Sequence, residues 1–292
     1  MSNLKEIRTR IQSVAATRKI TSAMKMVSAA KFHKAQEVIA RYKPYAKKTY
    51  DILNQIAQDQ DDTSFIKWFR KVDRPHKAAL VVITSNSSMC GGFNQNILKK
   101  VSEDLPRLLP ELWGTNELEI YCLGKKGNDF FNRKGYNIKM FSSDIIDKPS
   151  YSKSAQLADL LSGLFINKEY DAVYVVYNIF KNPALQEPVI EKLLPISIEK
   201  STNEISADFI YEPSKSQIAE VIIPKTVKVT LHRYILESSA GEHGARMTAM
   251  HQATDNATDI IQNLTLQYNK ARQAAITKEI LEIVSGAEAL KG

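Results

Sequence analysis

MTAMHQATDNATDIIQNLTLQYNKARQAA, residues 247–275, decides the fold. Its apolar and small residues fall at Met247, Met250, Ala253, Ala257, Ile261, Leu264, Tyr268, Ala271 and Ala275. Steps of three and four residues are the repeat of one helical face. No proline follows Pro224, so the pattern predicts a continuous helix from about Lys225 onward. At ~1.5 Å per residue, roughly 60 residues make a rod of about 90 Å. A helix this long gains too little from propensity to stand alone in water. Its partner lies at the other end of the chain. Residues 1–58 contain no glycine and a single proline, Pro44. They carry Leu4, Ile7, Ile11 and Val14, then, after a polar break, Ile20, Met24 and Val27. Two such helices can wind around each other antiparallel if the chain between them turns back. Met24 and Val27 are then expected opposite the Ala-rich upper part of the last helix.

The middle of the chain has a different pattern. Residues 78–84, AALVVIT, form a continuous apolar run, the mark of a strand buried on both faces. A helix is expected from about Asn94 to Leu105, ended by Pro106 and Pro110. Leu118–Leu123 reads as a second strand, Lys125–Arg133 as a short helix and Tyr136–Phe141 as a third strand. Tyr151–Phe165 is an amphipathic helix, and Ala172–Tyr177 a fourth strand. Val189–Ile198 suits an edge strand, because Pro188 and Pro195 cannot serve a central ladder. Alternating strands and helices imply a mostly parallel sheet in three layers. Asp208–Pro213 and a short helix over Ser216–Ile223 lead back to the rod. The patch Phe65, Ile66, Trp68 and Phe69 has no assignable role. The expected domains are a coiled-coil helix over residues 1–58, a central Rossmann-like α/β domain over 76–205 and a coiled-coil helix over 225–290.

The terminal stretches also resemble a known family. The run from Ile276 to Ala289 (ITKEILEIVSGAEA) is similar to the C-terminal signature of the γ subunits of rotary F-type ATP synthases. Residues 237–257 (ESSAGEHGARMTAMHQATDNA), residues 268–277 (YNKARQAAIT) and the stretch Leu4–Gln36 around KITSAMKMVSAAKFHKAQ resemble the same family. The resemblance covers nearly the whole chain. It implies a central rotor shaft, an antiparallel coiled coil with an α/β domain at its side. The shaft couples ion translocation through a membrane ring to ATP synthesis or hydrolysis in a catalytic head. The implied partners are the α and β subunits, the ε subunit and the membrane c-ring, with no cofactor on this chain and no catalysis by it. The implied location is the cytoplasmic side of a bacterial inner membrane.

Charge is uneven. The first 50 residues hold twelve Lys and Arg against two Glu, more than the whole net charge of +8. A basic helix is either a solvated face or a surface for an anionic partner. The resemblance selects acidic loops of the catalytic ring. A basic coiled coil that binds nucleic acid is the alternative, although base-stacking aromatics are not interleaved there. The N-terminus lacks the apolar core of a signal peptide. Cys90 and Cys122 form no CxxC and read as buried, inert thiols of a reducing compartment.

Candidate chemistry is sparse. The loop Ser85–Asn94 follows a strand, where a dinucleotide loop would sit, but fits neither GxGxxG nor a phosphate loop. Gly124-Lys125-Lys126-Gly127 fails the same templates. A nucleotide-dependent α/β enzyme is therefore a second rival rather than the reading. Relatives often carry Asp and Arg where this chain has Asn86 and Ser87. His243 and His251 read as surface histidines, without the three or four convergent ligands a metal needs. No Ser, Cys and His set reads as a triad. What remains are interface residues. By the resemblance Arg272, Gln273, Thr277 and Glu279 contact the catalytic ring, as do Met24, Lys25 and, on the other helix, Arg246. Phe209, Tyr211 and Glu212 correspond to the foot that meets the membrane ring.

Overall fold

The computed structural model describes residues 2–58, 67–70, 72, 74–197, 211–212 and 214–289. In chain order the elements are α1 (Ser2–Gln58), β1 (Ala78–Ile83), α2 (Phe93–Leu108), β2 (Leu118–Leu123), α3 (Lys125–Arg133), β3 (Ile138–Ser142), α4 (Asp144–Asp147), α5 (Tyr151–Ile166), β4 (Ala172–Phe180), β5 (Gln186–Leu194) and α6 (Lys215–Ala289). They form two compact units, residues 29–246 and residues 1–28 with 247–292.

The larger unit is built on a five-stranded sheet of order β3-β2-β1-β4-β5. Strand β1 lies parallel to β2 and β4, β2 lies parallel to β3, and β5 closes the edge antiparallel to β4. Successive side chains of a strand face opposite ways. Val81, Tyr121 and Val175 therefore pack with Leu157, Leu161 and Phe165 of α5 on one face. Leu80, Ile120 and Val176 pack with Ile97, Val101 and Leu105 of α2 on the other. Both faces are covered, which is why β1 reads as an unbroken apolar run.

The first face also receives Leu53 and Ile56 of α1 and Ile223, Val227, Leu231 and Ile235 of α6. Within this unit the two helices run antiparallel: Ile39 clusters with Leu236 and Ala240, and the Tyr42 ring meets His232 edge-on at 5.0 Å. From Leu231 to Arg246 nearly every residue of α6 is buried, because the helix has α1 on one side and the sheet domain on another.

The smaller unit holds the two helix ends, again antiparallel. Thr254 donates from its hydroxyl to that of Thr21 at 2.8 Å, and Ile7 and Arg10 share a groove with Leu264 and Ala271. The expected pairing of Met24 and Val27 with the Ala-rich stretch is therefore wrong, since that stretch faces the first turns of α1. The expected stripe also rotates. Ile20 and Val27 are more than half exposed, whereas Thr21 and Ser28 are buried. The buried and half-buried positions of α1 include Leu4, Ile7, Ile11, Val14, Arg18, Thr21, Lys25, Ser28, Phe32, Ala35, Ile39, Tyr42, Ala46, Thr49, Leu53 and Ile56. Threes and fours alternate without a break, a 3.5-residue repeat that sets a left-handed coil. Hydrophobicity alone hid this repeat where Arg18, Thr21, Lys25 and Ser28 stand on it.

Other boundaries shift for local reasons. Helix α2 continues through Pro106 to Leu108, and the Leu109 N–H still closes on the Leu105 carbonyl at 2.8 Å. Strand β3 begins at Ile138 because the Tyr136 ring turns into Trp113 and Phe131. Strand β5 starts earlier than expected, with Pro188 opposite Asn178 at the sheet edge. Helix α6 begins at Lys215 and carries Pro224 inside it, so the short helix and the rod are one element. Trp68 joins the first core and its carbonyl accepts from Ile196 N at 3.0 Å. That gives the unassigned patch a packing role, while Phe65 and Ile66 lie outside the described residues.

Two measurements follow. With the native thiols replaced, Thr21→Cys with Thr254→Cys should form a disulfide within one chain on oxidation, and Met24→Cys with Ala271→Cys should not. The reverse pattern on non-reducing gels would discard this register. The second concerns His232, 6% exposed, whose Nδ1 lies 2.9 Å from Ser154 Oγ. Burial pushes its pKa down to about 4. Between that value and the ordinary 6.5 the unfolded chain binds the extra proton, so stability is full above pH 6.5 and falls as pH drops toward 4. At ~1.36 kcal/mol per pKa unit the loss is about 3 kcal/mol. Urea unfolding at pH 7 and pH 4.5 checks it, and His232→Asn should flatten the slope.

Candidate interaction site on the terminal helices

In the smaller unit, Met250, Ala257 and Leu264 of α6 are buried and Ala271 and Ala275 half-buried. Beyond Ala275 every described residue is exposed. Ile276, Ile280, Leu281, Ile283 and Val284 are each 48–70% exposed. The helix simply outlasts the seam. Five large apolar side chains over nine residues form a patch of the kind that marks an interaction surface. Their approximate three- and four-residue spacing was visible in the sequence, but only the end of the seam reveals that nothing within the described chain covers them.

Arg272, Gln273, Thr277 and Glu279 are all exposed around the start of this tip. Thr277 bonds back to the Gln273 carbonyl at 2.9 Å, a local tie that leaves the Gln273 side chain and the Arg272 guanidinium outward. Met24 and Lys25 are half-buried on α1. The structure therefore brings the four α6 residues into one region and sets Met24 and Lys25 several turns away from them. In the larger unit, Tyr211 is half-buried with Lys215 Nζ 5.5 Å from its ring centre, and Glu212 is exposed. Phe209 lies outside the described residues.

Arg246 is a correction. It is 8% exposed, and its guanidinium is spent inside the chain. Nη1 donates to Glu242 Oε1 at 2.6 Å, and Nη2 donates to Ser87 Oγ at 2.9 Å and to the Ser87 carbonyl at 3.2 Å. Burial raises the Glu242 pKa, and the Arg246 charge beside it pulls the other way. Removing one partner of such a pair strands a buried charge at a cost of about 3–5 kcal/mol. His243 is a second correction. It is only partly exposed, its Nδ1 is buried without a hydrogen-bond partner, and burial lowers its pKa to about 4.

The sheet's own crevice is closed. In open α/β sheets ligands sit beyond the strand C-termini where strand order reverses, here between β1 and β4. Helix α6 fills that place. A Cβ on Gly241 would lie 3.3 Å from Gln186 Cγ and 3.4 Å from Phe93 Cε2, and one on Gly244 would lie 3.1 Å from Pro183 Cα. The loop after β1 is internally tied: Asn94 accepts from Ser85 N at 2.9 Å and donates to Ser85 Oγ at 2.7 Å. Asn86 donates to Asp147 Oδ1 at 2.7 Å and accepts from Lys125 N at 3.0 Å. Asn86 and Ser87 thus make polar pairings of their own. A nucleotide would have to displace α6. Cys90 and Cys122 are free and buried, and burial raises both thiol pKa values, that of Cys122 to about 12.

These features define a protein of two long antiparallel helices and a Rossmann-like α/β domain whose ligand crevice is filled. A family model described as ATP synthase matches residues 3–290. The ATP synthase gamma chain of Flavobacterium psychrophilum is 46% identical over the whole of both chains, and that of Geobacter metallireducens 42%. The chain belongs to the ATP synthase gamma chain family. Among solved structures, a chain of the Euglena gracilis mitochondrial ATP synthase (OSCP/F1/c-ring) superposes with a TM-score of 0.69 at 19% identity, covering 99% of this chain and 95% of that one. A chain of the Tetrahymena thermophila central stalk and c-ring gives 0.56 at 21%, covering 80% and 99%. These distant matches establish the shared fold.

Titrating the isolated chain with ATP or NAD should give no saturable binding up to millimolar ligand by calorimetry. Micromolar affinity would mean that α6 leaves the crevice.

Proposed function

We propose that this chain is the central rotor shaft of an F-type ATP synthase, a non-catalytic subunit that couples ion translocation to ATP synthesis or hydrolysis. The observation that carries the reading is the α6 tip. The coil seam ends at Ala275, yet the helix runs on to Ala289 with Ile276, Ile280, Leu281, Ile283 and Val284 exposed. Such a tip calls for a surrounding protein, and the α and β subunits of the catalytic ring supply one. Arg272, Gln273, Thr277 and Glu279 add polar contacts at its base, and Met24 and Lys25 meet acidic loops lower on the shaft. Arg suits this task because its planar fork can hold a carboxylate by two bonds. In the larger unit, Tyr211 and Glu212, with Phe209, contribute to a foot on the ε subunit and the c-ring. Among the described residues no helix is long and apolar enough to cross a membrane, so attachment runs through the complex. We assign it to the cytoplasmic face of a bacterial inner membrane.

Arg272→Ala with Thr277→Ala removes a charge-assisted bond worth roughly 1.5–3 kcal/mol and a neighbouring hydroxyl. The fold should barely change, because Ala keeps helix propensity at an exposed site. ATP turnover or ion pumping of the assembled complex should fall, by about tenfold if roughly 1.5 kcal/mol is lost. Arg272→Lys should restore only part of it. Equal turnover and pumping in mutant and wild-type complexes would make these residues passive surface.

A further inference from the structure

Arg246 bridges 159 residues of sequence. Its pairing with Glu242 stays within one helix, at i and i+4, and so adds nothing to the attachment of the domain. The bonds from Nη2 do cross: to Ser87 Oγ at 2.9 Å, to the Ser87 carbonyl at 3.2 Å and to the Ser88 carbonyl at 3.4 Å. The loop they reach is shaped to receive them. Met89 and Gly91 both take positive φ, 66° and 57°, and Ser85 Oγ donates to the Ser87 carbonyl at 2.6 Å. Asn86 ties the same loop to the Ser143 carbonyl at 3.0 Å and to Asp147. The rest of the α6 surface here is small: Gly241 against Phe93 and Gln186, Gly244 against Pro183. Apolar contact of that kind has no preferred direction. A guanidinium fork does, and it resists sliding and twisting alike.

We propose that Arg246 is a positioning residue that fastens the α/β domain to α6, its fork gripping the loop after β1 so that domain and helix turn as one body. This rests on the rotor reading. Torque entering through a foot on the α/β side must pass into the helix, and slip at this joint would waste it. The family resemblance implied a contact of Arg246 with the catalytic ring, but a side chain about 10% exposed has little surface left for that.

Two readouts separate the joint from the rotor reading. The first uses the purified full-length chain and amide hydrogen exchange. R246Q and R246K should each speed exchange over residues 85–92 by at least tenfold, and S87A, which removes one of three acceptors, by two- to threefold. R246K keeps a charge for Glu242, so it carries the test if R246Q does not accumulate folded. Exchange unchanged in R246K would overturn the fastening whatever the complex does. The second readout uses the assembled complex. R246K should retain at least half of wild-type ATP hydrolysis while ions moved per ATP fall at least twofold. Faster exchange with an unchanged pumping ratio would make Arg246 merely structural and overturn its positioning role, leaving the rotor reading intact. Hydrolysis and pumping lost in proportion would point to a direct contact with the catalytic ring, and would overturn it too.

Discussion

Helix α6 has to serve two neighbours along the same stretch, and most of the molecule answers to that constraint. Between Leu231 and Arg246 it is covered by α1 and by the sheet domain at once. A helix buried all round cannot leave a polar group unpaired without a cost of about 1–3 kcal/mol for each. The pairings are correspondingly specific. His232 meets Ser154, Glu237 sits between Lys43 at 3.7 Å and Arg233 at 3.5 Å, and Arg246 joins Glu242 to the loop after β1. Where the domain comes closest, at Gly241 and Gly244, an added Cβ would lie 3.1–3.4 Å from its neighbours, so even a methyl group would press on them. His243 Nδ1 and Asn178 Oδ1 remain without partners, so the packing takes precedence over complete polar satisfaction there.

The same constraint explains why a domain with Rossmann-like strand order has no open crevice beyond its switch point. Its sheet has the order and the switch point of a binding fold. The volume beyond that switch point is used to seat a helix of the shaft. What the described residues leave uncovered is the helical tip beyond Ala275.

The 3.5-residue repeat of α1 is kept from Leu4 to Ile56. The repeat is not uniformly greasy. Arg18, Thr21, Lys25 and Ser28 occupy four successive places on it, and Thr21 meets Thr254 through a hydrogen bond. Polar residues on a seam weaken it and favour one register. An antiparallel pair that must present the same residues at the same height has use for that exchange.

Much of this was legible in residues alone. Strand-and-helix alternation gave the layers, because a period of two and a period of 3.6 are local properties of the backbone. The first rod declared itself by the absence of glycine, and the last by the steps from Met247 to Ala275. Four things were not legible: which face of α1 turns inward where Ile20 and Thr21 compete, that α6 passes through Pro224, that Arg246 points into the molecule, and that the crevice beyond β1 is filled. The inward face of α1 and the inward arginine depend on partners distant in sequence, Thr254 for Thr21 and Ser87 for Arg246. A helical period says that a face exists. Only the surface packed against it decides which residues that face contains, and whether an arginine standing there meets solvent or a carbonyl of its own chain.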